Sequence, residues 1–218
     1  MGIKENLTKI KEQTGSNKVK IIAVTKYASN EQISEAYNLG IRDFGESYVQ
    51  DAIEKISKQS EQLNNPVYWH LIGRLQKNKV KYMLGRFALI HSVDSLILAE
   101  IINKIALQSN ITQDVLLQVN ISNEETKAGF KKSELAANFE KLVKLENIRI
   151  LGLMTIAPKT EDKNLIKDSF TGLADFRSEL NKGFKINLKE LSMGMSNDYL
   201  TAIDCGSTMV RLGRALFS

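Results

Sequence analysis

The chain has 218 residues, 43% of them hydrophobic, with a formal charge of +5 and a pI near 9.1. That length suits one α/β barrel or two small domains, and two prolines with no low-complexity tract argue against a flexible linker, so one domain over 1–218 is expected. A lone Cys205 cannot form an internal disulfide, the polar stretch Met1 to Gln13 lacks a signal peptide's apolar core, and no apolar run reaches membrane-spanning length. These features predict a cytoplasmic protein without a membrane partner.

The 25 acidic residues are interspersed with 30 basic ones, which argues against nucleic acid as a partner. Arg74 to Arg86, RLQKNKVKYMLGR, departs from this with five cations and no acid. It reads either as a solvated helix face or as a surface that attracts an anion or a protein.

Ile3, Leu7 and Ile10 predict a first amphipathic helix, placed to cover the open bottom of a core. Val19 to Lys26, VKIIAVTK, reads as a buried strand whose far end opens onto solvent or a ligand. Ser29 and Gln32 form a capping-box pattern before the stripe Ile33, Ala36 and Tyr37, and Gly40 is placed to end that helix. Ile41 to Gly45 is the second predicted strand, followed by a helix striped by Val49, Ala52, Ile53 and Ile56 and a turn at Asn64, Asn65 and Pro66.

Val67 to Gly73 is the third strand, with Val80, Met83 and Leu84 on a helix that Gly85 can terminate. Phe87 to Val93 is the fourth, Asp94 the expected N-cap, and Leu96, Ala99, Ile102 and Ala106 the next stripe. Val115 to Asn120 and Ile148 to Met154 are strands five and six, separated by a helix carrying Leu135, Phe139, Leu142 and Val143. A long helix with Leu165, Ile166, Phe170, Leu173 and Phe176 precedes strand seven, Leu188 to Met193. Tyr199, Leu200 and Ile203 lie on a short helix before strand eight, Met209 to Gly213. Eight strands alternating with helices predict a (β/α)8 TIM barrel, with a doubly wound open sheet as the rival.

In such a barrel, chemistry collects at the carboxyl ends of the strands. Those positions carry Thr25 and Lys26, Glu46 and Ser47, His70, His91 and Ser92, Asn120, Met154, Ser192 and Arg211. Lys26 at an apolar strand end is expected to lose hydration, which would free its amine to attack a carbonyl, although a strand-end lysine also snorkels into water. In LSMGMSN, Ser192, Gly194 and Ser196 predict an anion cradle, with Ser196 capping the short helix and Gly194 letting backbone approach a bound group. An ordinary capped turn is the alternative. Arg211 within an apolar strand needs a partner, and Gly213 ends that strand beside the cradle. His70 and His91 lie on separate strands without companion ligands, which argues against a metal, and His70 reads equally well as a core histidine satisfied by backbone.

Taken together, IAVTK, FGESYVQDA, WHLIGRLQKNK, IHSVDS, NISNEETKAGF, GLMTIAP, LSMGMSNDY and GSTMVRLG closely resemble the pyridoxal 5′-phosphate homeostasis protein family, from about Lys20 to Phe217. The resemblance implies a barrel of the alanine-racemase type that binds pyridoxal 5′-phosphate (PLP). Lys26 would match the lysine that forms the Schiff base with PLP, Ser196 and Gly213 the phosphate positions, and Arg211 the arginine facing the pyridine nitrogen. An arginine there disfavours ring protonation and weakens the cofactor as an electron sink.

Alanine racemases add a second, mostly β domain, for which this chain leaves no room. The expectation is therefore a monomeric, non-catalytic carrier or buffer that passes PLP to apo-enzymes. A small racemase or Schiff-base lyase using Lys26 is the alternative, and a module docking through Arg74 to Arg86 a third reading. Three positions depart from the family pattern: Ser47 stands where asparagine is usual, Arg74 where proline is usual, and Arg214 where a small hydroxyl residue is common. Lys127, above the expected site, reads as a solvent-exposed lysine rather than a second amine.

Overall fold

Eight short parallel strands close on themselves in sequence order: β1 (Lys20–Val24), β2 (Asp43–Glu46), β3 (Tyr68–Leu71), β4 (Leu89–Val93), β5 (Gln113–Gln118), β6 (Ile148–Met154), β7 (Glu190–Met195) and β8 (Met209–Leu212). This computed structural model describes residues 2–15, 19–60, 66–124 and 126–218, without the side chains of 59 and 60. Asn64 and Asn65 of the predicted turn lie outside the described residues. Closure rules out the open sheet, because β1 pairs with β8 (Ile22 opposite Arg211) as well as with β2 (Ala23 opposite Phe44). Among the described residues, no helix is long and apolar enough to cross a membrane.

The helices are α1 (Ile3–Thr14), α2 (Asn30–Asn38), α3 (Val49–Ser60), α4 (Val80–Met83), α5 (Leu96–Gln108), α6 (Lys132–Val143), α7 (Lys163–Phe184), α8 (Tyr199–Asp204) and α9 (Arg214–Phe217). The expected capping box opens α2: Gln32 N–H donates to Ser29 Oγ at 3.3 Å and Ser29 N–H to Gln32 Oε1 at 2.9 Å. At α5 the cap falls one residue later than expected, on Ser95, whose Oγ reaches Leu98 N–H at 3.3 Å while Asp94 accepts from the Ser95 hydroxyl. Leu165, expected in a helix stripe, and Val143, expected on a helix face, are exposed at 52% and 46%, as is Leu200 of the short helix at 43%. On α7 the buried stripe falls on Ser169, Phe170, Leu173, Phe176 and Leu180, and Leu165 lies outside it.

Helix α1 buries Ile3, Leu7 and Ile10 as expected and packs along α2, α8 and α9. With α8 and α9 only six and four residues long, the outer layer has a gap there that α1 fills. Asn6 fastens it, its Nδ2 donating to the carbonyls of Leu216 and Ser218 at 3.1 and 2.9 Å.

Alternate residues of each strand face the barrel interior. A small apolar cluster of Ile22, Leu89, Leu116, Met154 and Met209 is separate from the large core between strands and helices. Packed into the same barrel are four buried polar side chains, His70, His91, Ser192 and Arg211.

Candidate functional site

Strand β1 ends at Val24, and the chain turns at once, Ala28 N–H bonding the Thr25 carbonyl at 3.1 Å. Thr25 is fully buried, its hydroxyl donating to Glu46 Oε1 at 2.6 Å. Lys55 of α3 reaches the same carboxylate oxygen at 2.6 Å and the Thr25 carbonyl at 2.5 Å. Three contacts thus fix the residue before Lys26. Lys26 itself is exposed, with Nζ 4.8 Å from the centroid of the exposed Tyr27 ring, a cation–π distance. The expectation of a dehydrated amine is therefore not met, because the ladder stops two residues earlier and Lys26 rides on the turn.

Arg211 lies in β8, one strand from Lys26, and is only 4% exposed. It donates from NH1 to the carbonyl and Oγ of Ser192 at 2.8 and 2.7 Å, and from NH2 to the Thr155 carbonyl at 2.9 Å. These bonds use three of the five N–H donors of a guanidinium. Burial lowers its pKa to about 10, with the Asp198 carboxyl pulling the other way, so the group is charged at neutral pH.

Below Arg211 the polar side chains run on. Ser192 Oγ meets His91 Nδ1 at 2.8 Å, His91 Nε2 meets His70 Nδ1 at 2.9 Å, and His70 Nε2 meets Asp43 Oδ1 at 2.9 Å. His70 is thus a core histidine, satisfied by side chains and not by backbone. Burial pushes His91 well below the usual imidazole value, and the charges of Arg211 and Lys20 push it the same way. Partial burial raises Asp43, but the His70 hydrogen bond and the Lys20 charge outweigh it and leave the carboxyl below its usual range.

The cradle differs in detail from expectation. The Ser196 hydroxyl does not cap α8. It accepts Ala215 N–H at 3.1 Å in the first turn of α9, tying the last two loops together. The N-cap of α8 is Asp198, whose carboxylate accepts Met195 N–H. Burial raises the Asp198 pKa, against the pull of Met195 N–H and Arg211. Gly194 has φ +94°, and a Cβ there would come within 2.6 Å of Ala202 Cβ and 3.0 Å of Tyr199 Cα, so the group that approaches its backbone is α8. Gly213 is different: φ is −101°, and a Cβ would meet Val24 only at ordinary contact distances of 3.6 Å and beyond.

Lys26, Arg211, Gly213 and Ser196 thus come from the ends of three adjacent strands, β1, β8 and β7. Ser47 follows β2 and is half-buried, Met154 belongs to the apolar interior cluster, and Arg214 is exposed. Lys127 is not the solvated lysine expected: it pairs with Glu124 at 2.7 Å and donates to the Ala157 carbonyl at 2.9 Å, strapping two loops together. The sequence reading missed Thr155, Lys55 and Asp43. Only Arg211 inside an apolar strand signalled that buried acceptors had to exist, and no spacing pointed to which ones.

The closed parallel barrel, with a lysine just beyond β1 and an arginine in β8, is of the alanine-racemase type by its match to that family. The family model described as alanine racemase, N-terminal domain, matches residues 2–218. The chain belongs to the pyridoxal phosphate homeostasis protein family. It is 42% identical over 203 residues to the member from Aquifex aeolicus, covering 93% of this chain and 88% of that one. The Synechocystis member is 40% identical over 199 residues, covering 91% and 90%. Among solved structures, PipY of Synechococcus elongatus with PLP bound superposes with a TM-score of 0.92 at 36% identity, covering 99% of this chain and 100% of PipY. Alanine racemase of Clostridium difficile shares the fold, with a TM-score of 0.79 at 18% identity over 99% of this chain and 56% of the racemase.

Proposed function

We propose that this chain, as a single barrel domain, binds pyridoxal 5′-phosphate at its carboxyl-terminal mouth and holds it for intracellular PLP homeostasis. The observation that carries the reading is Gly213: neither its φ nor its packing demands glycine, and it stands between the Lys26 turn and the Ser196 hydroxyl, above Arg211. A primary amine, a buried guanidinium, and a hydroxyl beside a helix amino terminus suit an aldehyde, a ring acceptor and a phosphate. Support also comes from relatives named for PLP homeostasis and from PipY with PLP bound.

When bound, the cofactor supplies an aldehyde that captures amines and a ring that withdraws electrons. Lys26 presents the amine to that aldehyde. Arg211, charged and donor-only, faces the ring nitrogen and keeps a proton off it. Ser196 and Gly213 border the phosphate, and Ser192 and His70 support Arg211 from below. Ser47, Met154 and Gly194 shape the wall. A charged arginine at the ring nitrogen weakens the cofactor as an electron sink. With the names of the relatives, this supports reading the chain as a cytoplasmic, monomeric carrier or buffer, with apo-enzymes that use PLP as recipients.

Visible absorption during PLP titration tests the reading. The wild type is expected to turn yellow, and Lys26→Ala to lose that band while remaining folded. An unchanged band in Lys26→Ala refutes the assignment of the amine. Turnover of amino acids at about 1 per second or faster refutes the carrier.

A further inference from the structure

The buried contacts below Arg211 form one hydrogen-bond chain through the barrel, from Arg211 through Ser192, His91 and His70 to Asp43 at the amino-terminal end. Lys20 Nζ stands 3.2 Å from the same Asp43 oxygen. Every intermediate side chain is at most 2% exposed, so no solvent intervenes.

The proton positions follow from donor counting, since a neutral imidazole has one N–H and one bare nitrogen. The Asp43 carboxylate only accepts, so the His70 proton sits on Nε2. His70 Nδ1 is then bare and needs a donor, which places the His91 proton on Nε2. His91 Nδ1 is bare in turn and takes the Ser192 hydroxyl hydrogen, while the Ser192 oxygen accepts from Arg211. This assignment satisfies every contact. The reverse order sets a bare His70 nitrogen against a carboxylate and leaves the Ser192 hydrogen facing donors. In the satisfied order all the bonds point from a cation to an anion, an arrangement in which successive bonds polarise one another.

We propose that Asp43, His70 and His91 are positioning residues that, through Ser192, hold the Arg211 guanidinium in place for the cofactor ring. Asp198 supplies the opposing charge nearest Arg211, and Lys20 pairs with Asp43, so the chain acts by fixing the direction of the hydrogen bonds to the guanidinium and not by neutralising it. The effect on PLP rests on reading the carboxyl-terminal mouth as its site, but the proton order does not.

The chain has two histidines, so ¹⁵N NMR of its imidazoles assigns both directly. In the ligand-free protein, both rings are expected to carry their proton on Nε2 and to have Nδ1 bare. A proton on Nδ1 of either ring overturns the proposal. Asp43→Leu is expected to abolish the fixed tautomer pattern and to weaken PLP binding on the order of tenfold, the scale of one lost charge-assisted bond. Asp114→Ala removes a different ion pair near the start of β5, that with Arg149, and should match the wild type in both readouts. A folded Asp43→Leu with wild-type affinity overturns the proposal. If that variant does not fold, Ser192→Ala severs the same chain beside Arg211: it is expected to keep both tautomers, which Asp43 fixes, and to weaken PLP binding on the same scale, and wild-type affinity in it overturns the proposal. A wild type that takes up no PLP refutes the functional reading, while the NMR pattern still decides the proton order of the chain.

Discussion

Lys55 Nζ lies 2.5 Å from the carbonyl oxygen of Thr25, the residue immediately before Lys26, and 2.6 Å from Glu46 Oε1. The lysine on α3 therefore joins the end of β1 to a fully buried carboxylate whose other oxygen, Oε2, has no hydrogen-bond partner among the described residues. Removing a partner from a buried ion pair costs more than the pair contributes, because the remaining charge is stranded.

Lys55→Met should accordingly destabilise the protein by about 3 kcal/mol in urea unfolding. Its 18% side-chain exposure lets some water reach Glu46 and keeps the loss at the low end of the range for such pairs. Adding Glu46→Gln to Lys55→Met should recover part of the loss, since the stranded charge is gone. A loss below about 0.5 kcal/mol for the single variant would mean that the contact does not hold the turn.

The polar interior gives stability a pH dependence. His91 is fully buried and titrates well below the ordinary value of 6.5, so the unfolded chain binds its proton first as pH falls. Stability is complete above about 6.5 and declines below it, with a slope of at most about 1.4 kcal/mol per pH unit from this group. Asp43 acts in a lower window: its folded pKa lies below 3.8, so its contribution is present above that value and lost as pH drops further. Urea unfolding at intervals from pH 7 to 5 should show the decline, and His91→Asn should flatten it. An equal slope in that variant would assign the effect to other groups.

Periodicity reached the barrel because most strands contain a short apolar run and most helices carry their own stripe, both local properties of the chain. The ends of the elements were less legible: Asp94 and Ser95 are both good caps, and only the Ser95 contact with Leu98 N–H decides between them. At the site, Lys26 and Arg211 stood out as charges beside apolar runs. Asp43, two residues before Gly45 on β2, did not, since its partner His70 is 27 residues away and comes into reach only when the strands pair. Ser196 was found for the wrong bond, because a serine before a helix suggests a cap on that helix, whereas its acceptor serves α9 across the next loop.

The two glycines near the cradle should separate structure from binding. Gly194 needs its positive φ and has no room for a methyl group between β7 and α8, so Gly194→Ala should cost about 2–3 kcal/mol through backbone strain and overpacking. Gly213 has neither constraint, so Gly213→Ala should change stability by no more than about 0.5 kcal/mol. Its added methyl group would instead intrude where the phosphate is proposed to rest, and PLP affinity should fall on the order of tenfold or more, the scale set by about 1.4 kcal/mol. Thermal melting and PLP titration of the two variants, run in parallel, give the comparison. If Gly213→Ala binds as tightly as the wild type, the phosphate does not sit against this residue, and the Lys26 and Arg211 roles must be argued around a different pose.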